Sequence, residues 1–183
     1  NAAVALANIG PEYAKAIVPA LIEALKDPLP GIRNSAALAL QSLGAEARAA
    51  VPVLADALKD SYQPLRWNAA RALAKIGPDA KVAVPQLLEL LRDPDTEVRL
   101  TAADALWKVA QESKATLPLL IQCVNSEYGD MLGKALLVLG QMGPVAKAAV
   151  PSLARLVKDR DVDLRWHAAE VLGQIGPAAK ESV

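Results

Sequence analysis

Residues 65–85 read LRWNAARALAKIGPDAKVAVP, and they contain a helix, its stop and the start of the next helix. Leu65, Ala69, Ala72, Leu73 and Ile76 fall at helical spacing on one face. Residues 65–76 are therefore predicted to form a helix buried along that face. Gly77 then supplies a left-handed C-terminal residue, because glycine enters positive φ without a Cβ clash. Pro78 opens the next helix with its φ already set. That helix is expected over residues 79–92, DAKVAVPQLLELLR, with Pro85 inside its helical text. A proline there lacks an N–H and crowds the preceding turn. The expectation is a kink, or a short helical turn followed by a main helix starting near the proline.

The same text recurs along the chain. Val18-Pro19, Val51-Pro52, Val84-Pro85, Leu117-Pro118 and Val150-Pro151 are each 33 residues apart. Asp27, Asp60, Asp93 and Asp159 keep that phase, with Ser126 in the missing slot. So do Arg33, Arg66, Arg99 and Arg165, with Leu132 in the gap. Gly44, Gly77, Gly143 and Gly176 close the repeats, Ala110 fills the remaining slot, and Gly10 sits one residue early. A helix pair cannot bury both of its apolar faces alone, and stacking the next pair does so. The expected fold is all-α: a right-handed α-solenoid of antiparallel helix pairs with 33-residue repeats. The chain divides into a partial unit 1–10, units of about 11–44, 45–77, 78–110, 111–143 and 144–176, and a partial unit 177–183. It begins without Met and ends within the pattern, so it is expected to be a single solenoid fragment of a longer protein.

Repeat length alone leaves ankyrin and tetratricopeptide arrays open, but neither T-P-L-H-x-A nor W-x-x-L-G-x-x-Y text is present. The text V-P-x-L-x-x-x-L-x-D followed by V-R-x-x-A-A-x-A-L-x-x-I-G-P resembles the HEAT family, specifically the short bacterial HEAT-like repeats also found in bilin lyases. The resemblance covers the whole chain. It implies a binding scaffold whose second helices line a concave surface, and it names no partner.

Composition agrees with close helix packing. The chain of 183 residues is 53% hydrophobic but only 3% aromatic, without Phe, so Ala and Leu must build the core. Twenty basic and twenty acidic side chains cancel, which removes any global attraction to nucleic acid or an anionic membrane. No run of 18 apolar residues suggests a membrane span. The compartment is not fixed by the sequence, and a cytoplasmic one is the default expectation.

The Asp and Arg columns, Asp27, Asp60, Asp93, Asp159 and Arg33, Arg66, Arg99, Arg165, read as a structural ladder because they repeat, whereas catalytic groups occur once. Each Asp is expected to accept from turn backbone or from an Arg of the same or the next unit. Arg99→Ala is expected to lower stability and leave helix content intact. Asp159, Asp161, Asp163 and Glu170 mimic a calcium loop, but Leu164 stands where that loop needs glycine. An acidic helix start is the simpler reading. His167, the single histidine, shares a polar flank with Ser35, Asn68, Thr101 and Lys134. Cys123 shares the core column of Ala24, Ala57, Leu90 and Leu156, as a buried inert thiol. No catalytic motif, phosphate loop or metal-ligand spacing occurs. No enzyme activity, metal or cofactor is expected.

The second-helix face opposite the core changes residue type at every unit. It carries Asn34, Leu38 and Gln41; Trp67, Arg71 and Ala74; Leu100, Asp104 and Trp107; Gly133, Leu137 and Gly140; and Trp166, Glu170 and Gly173. Scaffold columns repeat one type; these do not. Trp67, Arg71, Leu100, Asp104, Trp107, Leu137, Trp166 and Glu170 are the candidate partner-binding residues, since tryptophan is enriched where partners bind. A covering role for the tryptophans, over the small Ala and Gly residues there, is the competing reading, and Arg71 with Asp104 forms a candidate ion pair. The function expected is a non-catalytic scaffold for a protein or peptide. Nucleic-acid binding is the less favoured alternative, because Glu170 opposes Lys75 and Lys108 along the stripe. An architectural spacer and a bilin lyase-like segment are the others. The fourth unit lacks the Asp, the Arg and the Gly-Pro junction and gains Gly133 and Gly140, so altered packing is expected over residues 110–134.

Overall fold

A computed structural model describes residues 11–126 and 130–182. The partial unit 1–10, with Gly10, lies outside the described residues. All regular structure among the described residues is helical. Contacts divide the chain into two compact bodies, Asn1–Gln111 and Glu112–Val183.

In the first body the order is α1 (Pro11–Ala24), α2 (Pro30–Leu43), a 3-10 helix (Gly44–Ala50), α3 (Val51–Ala57), α4 (Gln63–Ile76), a 3-10 helix (Gly77–Ala83), α5 (Val84–Leu90) and α6 (Thr96–Ala110). The helices α2, α4 and α6 are the second members of their pairs and pack side by side. The predicted face of α4 is buried throughout: Leu65, Ala69, Ala72 and Leu73 are fully covered and Ile76 nearly so. Ala37, Ala70 and Ala103 are buried as well. Small side chains at these positions let adjacent helix axes come close.

Of the two alternatives for the proline-bearing helix, α3 and α5 take the second. A 3-10 segment leads into a short α-helix with Pro52 or Pro85 in its first turn, where a missing N–H has no helical partner to lose. The tighter segments bury Ala47 and Ala50, and Ala80 and Ala83, completely. The glycines differ in detail from expectation. Gly44 and Gly77 have positive φ of 56° and 76°, but ψ of −129° and −142°. They lie outside the left-handed helical region, in a part of the map that a Cβ effectively closes. The left-handed helical conformation falls instead to Gln111 (φ 54°, ψ 36°), after α6 has run one residue further than α2 and α4, through Ala110 in the glycine slot.

The second body contains α7 (Thr116–Ser126), α8 (Asp130–Met142), a 3-10 helix (Gly143–Ala149), α9 (Val150–Leu156), α10 (Val162–Ile175) and a 3-10 helix (Gly176–Ser182). Its first pair departs from the others as the sequence suggested. α7 is one continuous helix with no 3-10 segment before it. Thr116 occupies the buried alanine slot of Ala50, Ala83 and Ala149, fully covered, and its hydroxyl donates to the Glu112 carbonyl at 2.6 Å. Leu136, Leu139 and Leu153 fill the core, and α8 packs on α10. The stretch Met131–Leu156 has an apolar window of mean hydropathy 1.3. It spans three elements and turns at Gly143, whose φ is 56°.

Candidate functional site

Two columns of charge sit where each first helix turns into its second. The carboxylate of each aspartate closes its own turn by accepting a backbone N–H two residues on. Leu29 N–H donates to Asp27 at 2.8 Å, Tyr62 to Asp60 at 2.8 Å, Asp95 to Asp93 at 3.0 Å and Asp161 to Asp159 at 2.9 Å. Each arginine of the second helix donates Nη1 to its own aspartate's main-chain carbonyl. These bonds run from Arg33, Arg66, Arg99 and Arg165 at 2.8, 2.9, 2.7 and 2.9 Å.

Two of the arginines also reach the next repeat. Arg33 Nε and Nη2 bind both carboxylate oxygens of Asp60 at 2.9 and 3.0 Å, and Arg66 binds Asp93 in the same fork at 2.7 and 3.1 Å. A carboxylate thus takes its ionic partner from the preceding repeat, while its own repeat's arginine uses the main chain. Arg99 turns Nη2 to Thr96 Oγ1 instead. Burial alone would push the Asp60 and Asp93 carboxyls upward. The arginine hydrogen bonds, the turn N–H groups and the nearby guanidinium charges outweigh it and hold both below the ordinary value. The Asp93 hydrogen bond is the largest influence raising Arg66.

The variable stripe falls in two parts. In the first body, Arg71 stacks over the Trp67 ring, with Cζ 4.4 Å from its centroid. Trp67 packs in turn against the core, half-buried. Asp104 pairs with Lys108 one turn on at 2.7 Å through Oδ2, and Arg71 lies over Trp67, so the expected Arg71–Asp104 ion pair does not form: each takes its partner within its own helix. Leu100 is 2% exposed and offers a partner no surface. It is shorter than the tryptophans that share its column and stays within the packed face. Trp107 is half-buried. Asn68, read as a surface flank, is buried and donates Nδ2 to Asn34 Oδ1 at 2.8 Å, joining α4 to α2. Polar identity alone hid this contact.

In the second body, Leu137 and Trp166 are 63% and 62% exposed, and Glu170 is exposed. A groove of about 420 Å³ runs between α8 and α10, lined among others by Gly133, Leu137, Gly140, His167, Glu170 and Val171. Two of its lining residues are glycines: a Cβ at Gly133 would meet nothing, and one at Gly140 would run into Gln174 Oε1. The sequence flagged these glycines as departures but did not reveal a groove. His167 is exposed, with Nδ1 2.8 Å from the Asp163 carbonyl and its ring edge-on to Trp166.

Of the four calcium-like acids, Asp159 and Asp161 bind backbone. Asp161 caps α10 by accepting from the N–H groups of Asp163 and Leu164 at 2.8 and 3.3 Å. Cys123 is buried in α7. Among the described residues, no group of three or more His, Cys, Asp or Glu side chains is gathered where it could hold a metal ion.

Comparison with known proteins adds the following. A family model described as HEAT repeats matches residues 1–74, 51–132 and 117–183. An engineered protein of the Northeast Structural Genomics Consortium is 25% identical, at a TM-score of 0.71 over 96% of this chain and 88% of that one. A designed armadillo repeat protein in complex with the peptide (KR)4 has a TM-score of 0.71 at 17% identity, over 93% of this chain and 89% of the other. The complex of CpcE and CpcF of phycocyanin lyase from Nostoc contains a chain 29% identical, with a TM-score of 0.66 over 92% of this chain and 66% of its own length. No curated protein matches the sequence.

Proposed function

The chain belongs to the HEAT repeat family, and from that membership we propose that it is a non-catalytic scaffold holding a protein or peptide partner on the concave face lined by its second helices. The observation that carries this reading is the division of labour between columns. Positions that build the repeat keep one residue type and are buried or bonded, as Leu40, Leu73, Leu106 and Leu139 are. The face opposite changes type at each repeat and leaves Leu137 and Trp166 in solvent. Large apolar side chains kept exposed on a regular scaffold mark a contact surface. The second helices also pack more closely on one another than the first helices do, which supports placing them on the inner side of the stack.

The test is capture of a protein partner by the immobilised chain, set beside a Trp67→Ala/Trp107→Ala variant with an unchanged helical spectrum. Capture is expected to fall at least tenfold in the variant. Equal capture contradicts the reading.

The 29% identity to a chain of a lyase complex favours one second reading, a segment acting with another protein on a bilin pigment. It requires that the purified chain, mixed with bilin, change the pigment's visible absorbance. An unchanged spectrum removes it.

A further inference from the structure

We propose that Trp166 and Glu170, with the groove beside them, form a receptor for an arginine side chain carried by an extended segment of the partner. The inference rests on the scaffold reading and gives the partner's chemistry at one place on it.

The molecule contains its own control. Trp67 and Arg71 stand four residues apart on α4, and Trp166 and Glu170 stand at the same two positions three repeats later on α10. At the first pair the ring receives a cation from its own chain: the Arg71 guanidinium lies over Trp67 at 4.4 Å. At the second pair the guanidinium is replaced by a carboxylate. No described cation lies over the Trp166 ring, which is 62% exposed. Glu170 is exposed, and no described residue pairs with it. One exchange of side chain has removed the internal cation and put a carboxylate at the same position of the repeat. A cation from outside would meet a π face and a carboxylate together.

The neighbouring groove sets the shape of that cation's carrier. It is lined along one side by Gly133, Leu136, Leu137 and Gly140 and along the other by α10 residues that include Val171, so an aliphatic stem finds apolar surface. Among the described residues of the lining, Glu170 is the one acidic or basic side chain apart from His167. Where His167 Nδ1 meets the Asp163 carbonyl, which can only accept, the nitrogen carries the proton. A long apolar stem ending in a flat donor fork describes arginine better than lysine, because a guanidinium both stacks on an indole and forks a carboxylate. A phosphate or an acidic segment would face Glu170 unfavourably.

The experiment titrates acetyl-tetra-arginine amide into the chain and follows the three indole N–H resonances. A Trp67→Phe/Trp107→Phe form, in which Trp166 is the one tryptophan, gives the same titration by fluorescence. Trp166 is expected to respond saturably, tetraglutamate to give no response, and Glu170→Arg to weaken the peptide at least tenfold with an unchanged melting curve, since it caps the ring internally as Arg71 does. Arg71→Glu is expected to uncap Trp67 and make its indole respond as well. Absence of a saturable Trp166 shift, an equal response to tetraglutamate, or full binding by Glu170→Arg overturns the proposal. If tetra-arginine fails while partner capture still depends on Trp67 and Trp107, only this inference falls. If tetra-arginine binds and capture ignores those tryptophans, only the scaffold reading falls.

Discussion

Arg66 binds Asp93 across 27 residues of sequence, with Nε 2.7 Å from Oδ2 and Nη2 3.1 Å from Oδ1, and the same guanidinium holds the Asp60 carbonyl at 2.9 Å. One side chain therefore ties the turn of its own repeat to the turn of the next. The Arg66 and Asp93 side chains are 13% and 5% exposed, so the pair is screened far less than a surface ion pair.

Arg66→Ala removes this tie and leaves a largely buried carboxylate without its partner. Urea unfolding is expected to show a loss of about 2–3 kcal/mol with helix content unchanged. Arg99→Ala is expected to cost less, about 1–2 kcal/mol, because Arg99 bonds two main-chain carbonyls and Thr96 rather than a carboxylate of a following repeat. Equal losses at the two positions would contradict the ladder as drawn.

The same pairs give stability a dependence on acid. The native Asp60 and Asp93 carboxyls lie below the ordinary 3.8, so at mildly acid pH the unfolded chain binds more protons than the folded one. Their contribution is fully present above the ordinary carboxylate value and is lost as pH falls through the lower native one. The melting temperature is expected to drop as pH falls from about 5 toward 2. An Asp60→Asn/Asp93→Asn variant should start lower and drop less. A parallel pair of curves would show that other carboxylates dominate.

The repeat junctions make a third prediction. Gly77→Ala forces a Cβ into φ 76°, ψ −142° and is expected to cost about 1–3 kcal/mol, although nothing lies within 4 Å to obstruct it. Gln111→Gly relieves a left-handed side chain and should be neutral to stabilising by about 1 kcal/mol. A tolerated Gly77→Ala would show that the glycine column is not a backbone requirement.

How far the sequence could be read follows from what each residue does. Leu65, Ala69, Leu73 and Ile76 announce their helix and its buried face because burial acts on every turn alike, and the period amplifies it. The proline column foretold a break near Pro85 but not its form; a 3-10 lead-in depends on how Ala80 and Ala83 fit against the neighbouring repeat. The Asp and Arg columns were legible as a ladder, but the direction of the ionic bond was not. An arginine six residues from one aspartate and 27 from another has no sequence signature for the longer reach. The stripe was the least legible. Trp166 and Leu137 do project, whereas Leu100, in the column of Trp67 and Trp166, is covered. Side-chain length and the approach of the adjacent helix decide between those outcomes, and neither is written in the column itself. Asn68 and Asn34, both polar, gave no sign that they would find one another.

Hydrogen–deuterium exchange on the captured complex tests the binding face most directly. Partner-induced protection is expected on the second helices, Gln63–Ile76, Thr96–Ala110 and Val162–Ile175 among them. The first helices, Val51–Ala57, Val84–Leu90 and Val150–Leu156, should exchange as in the unbound chain. Protection confined to those first helices would place the partner on the opposite side and contradict the account.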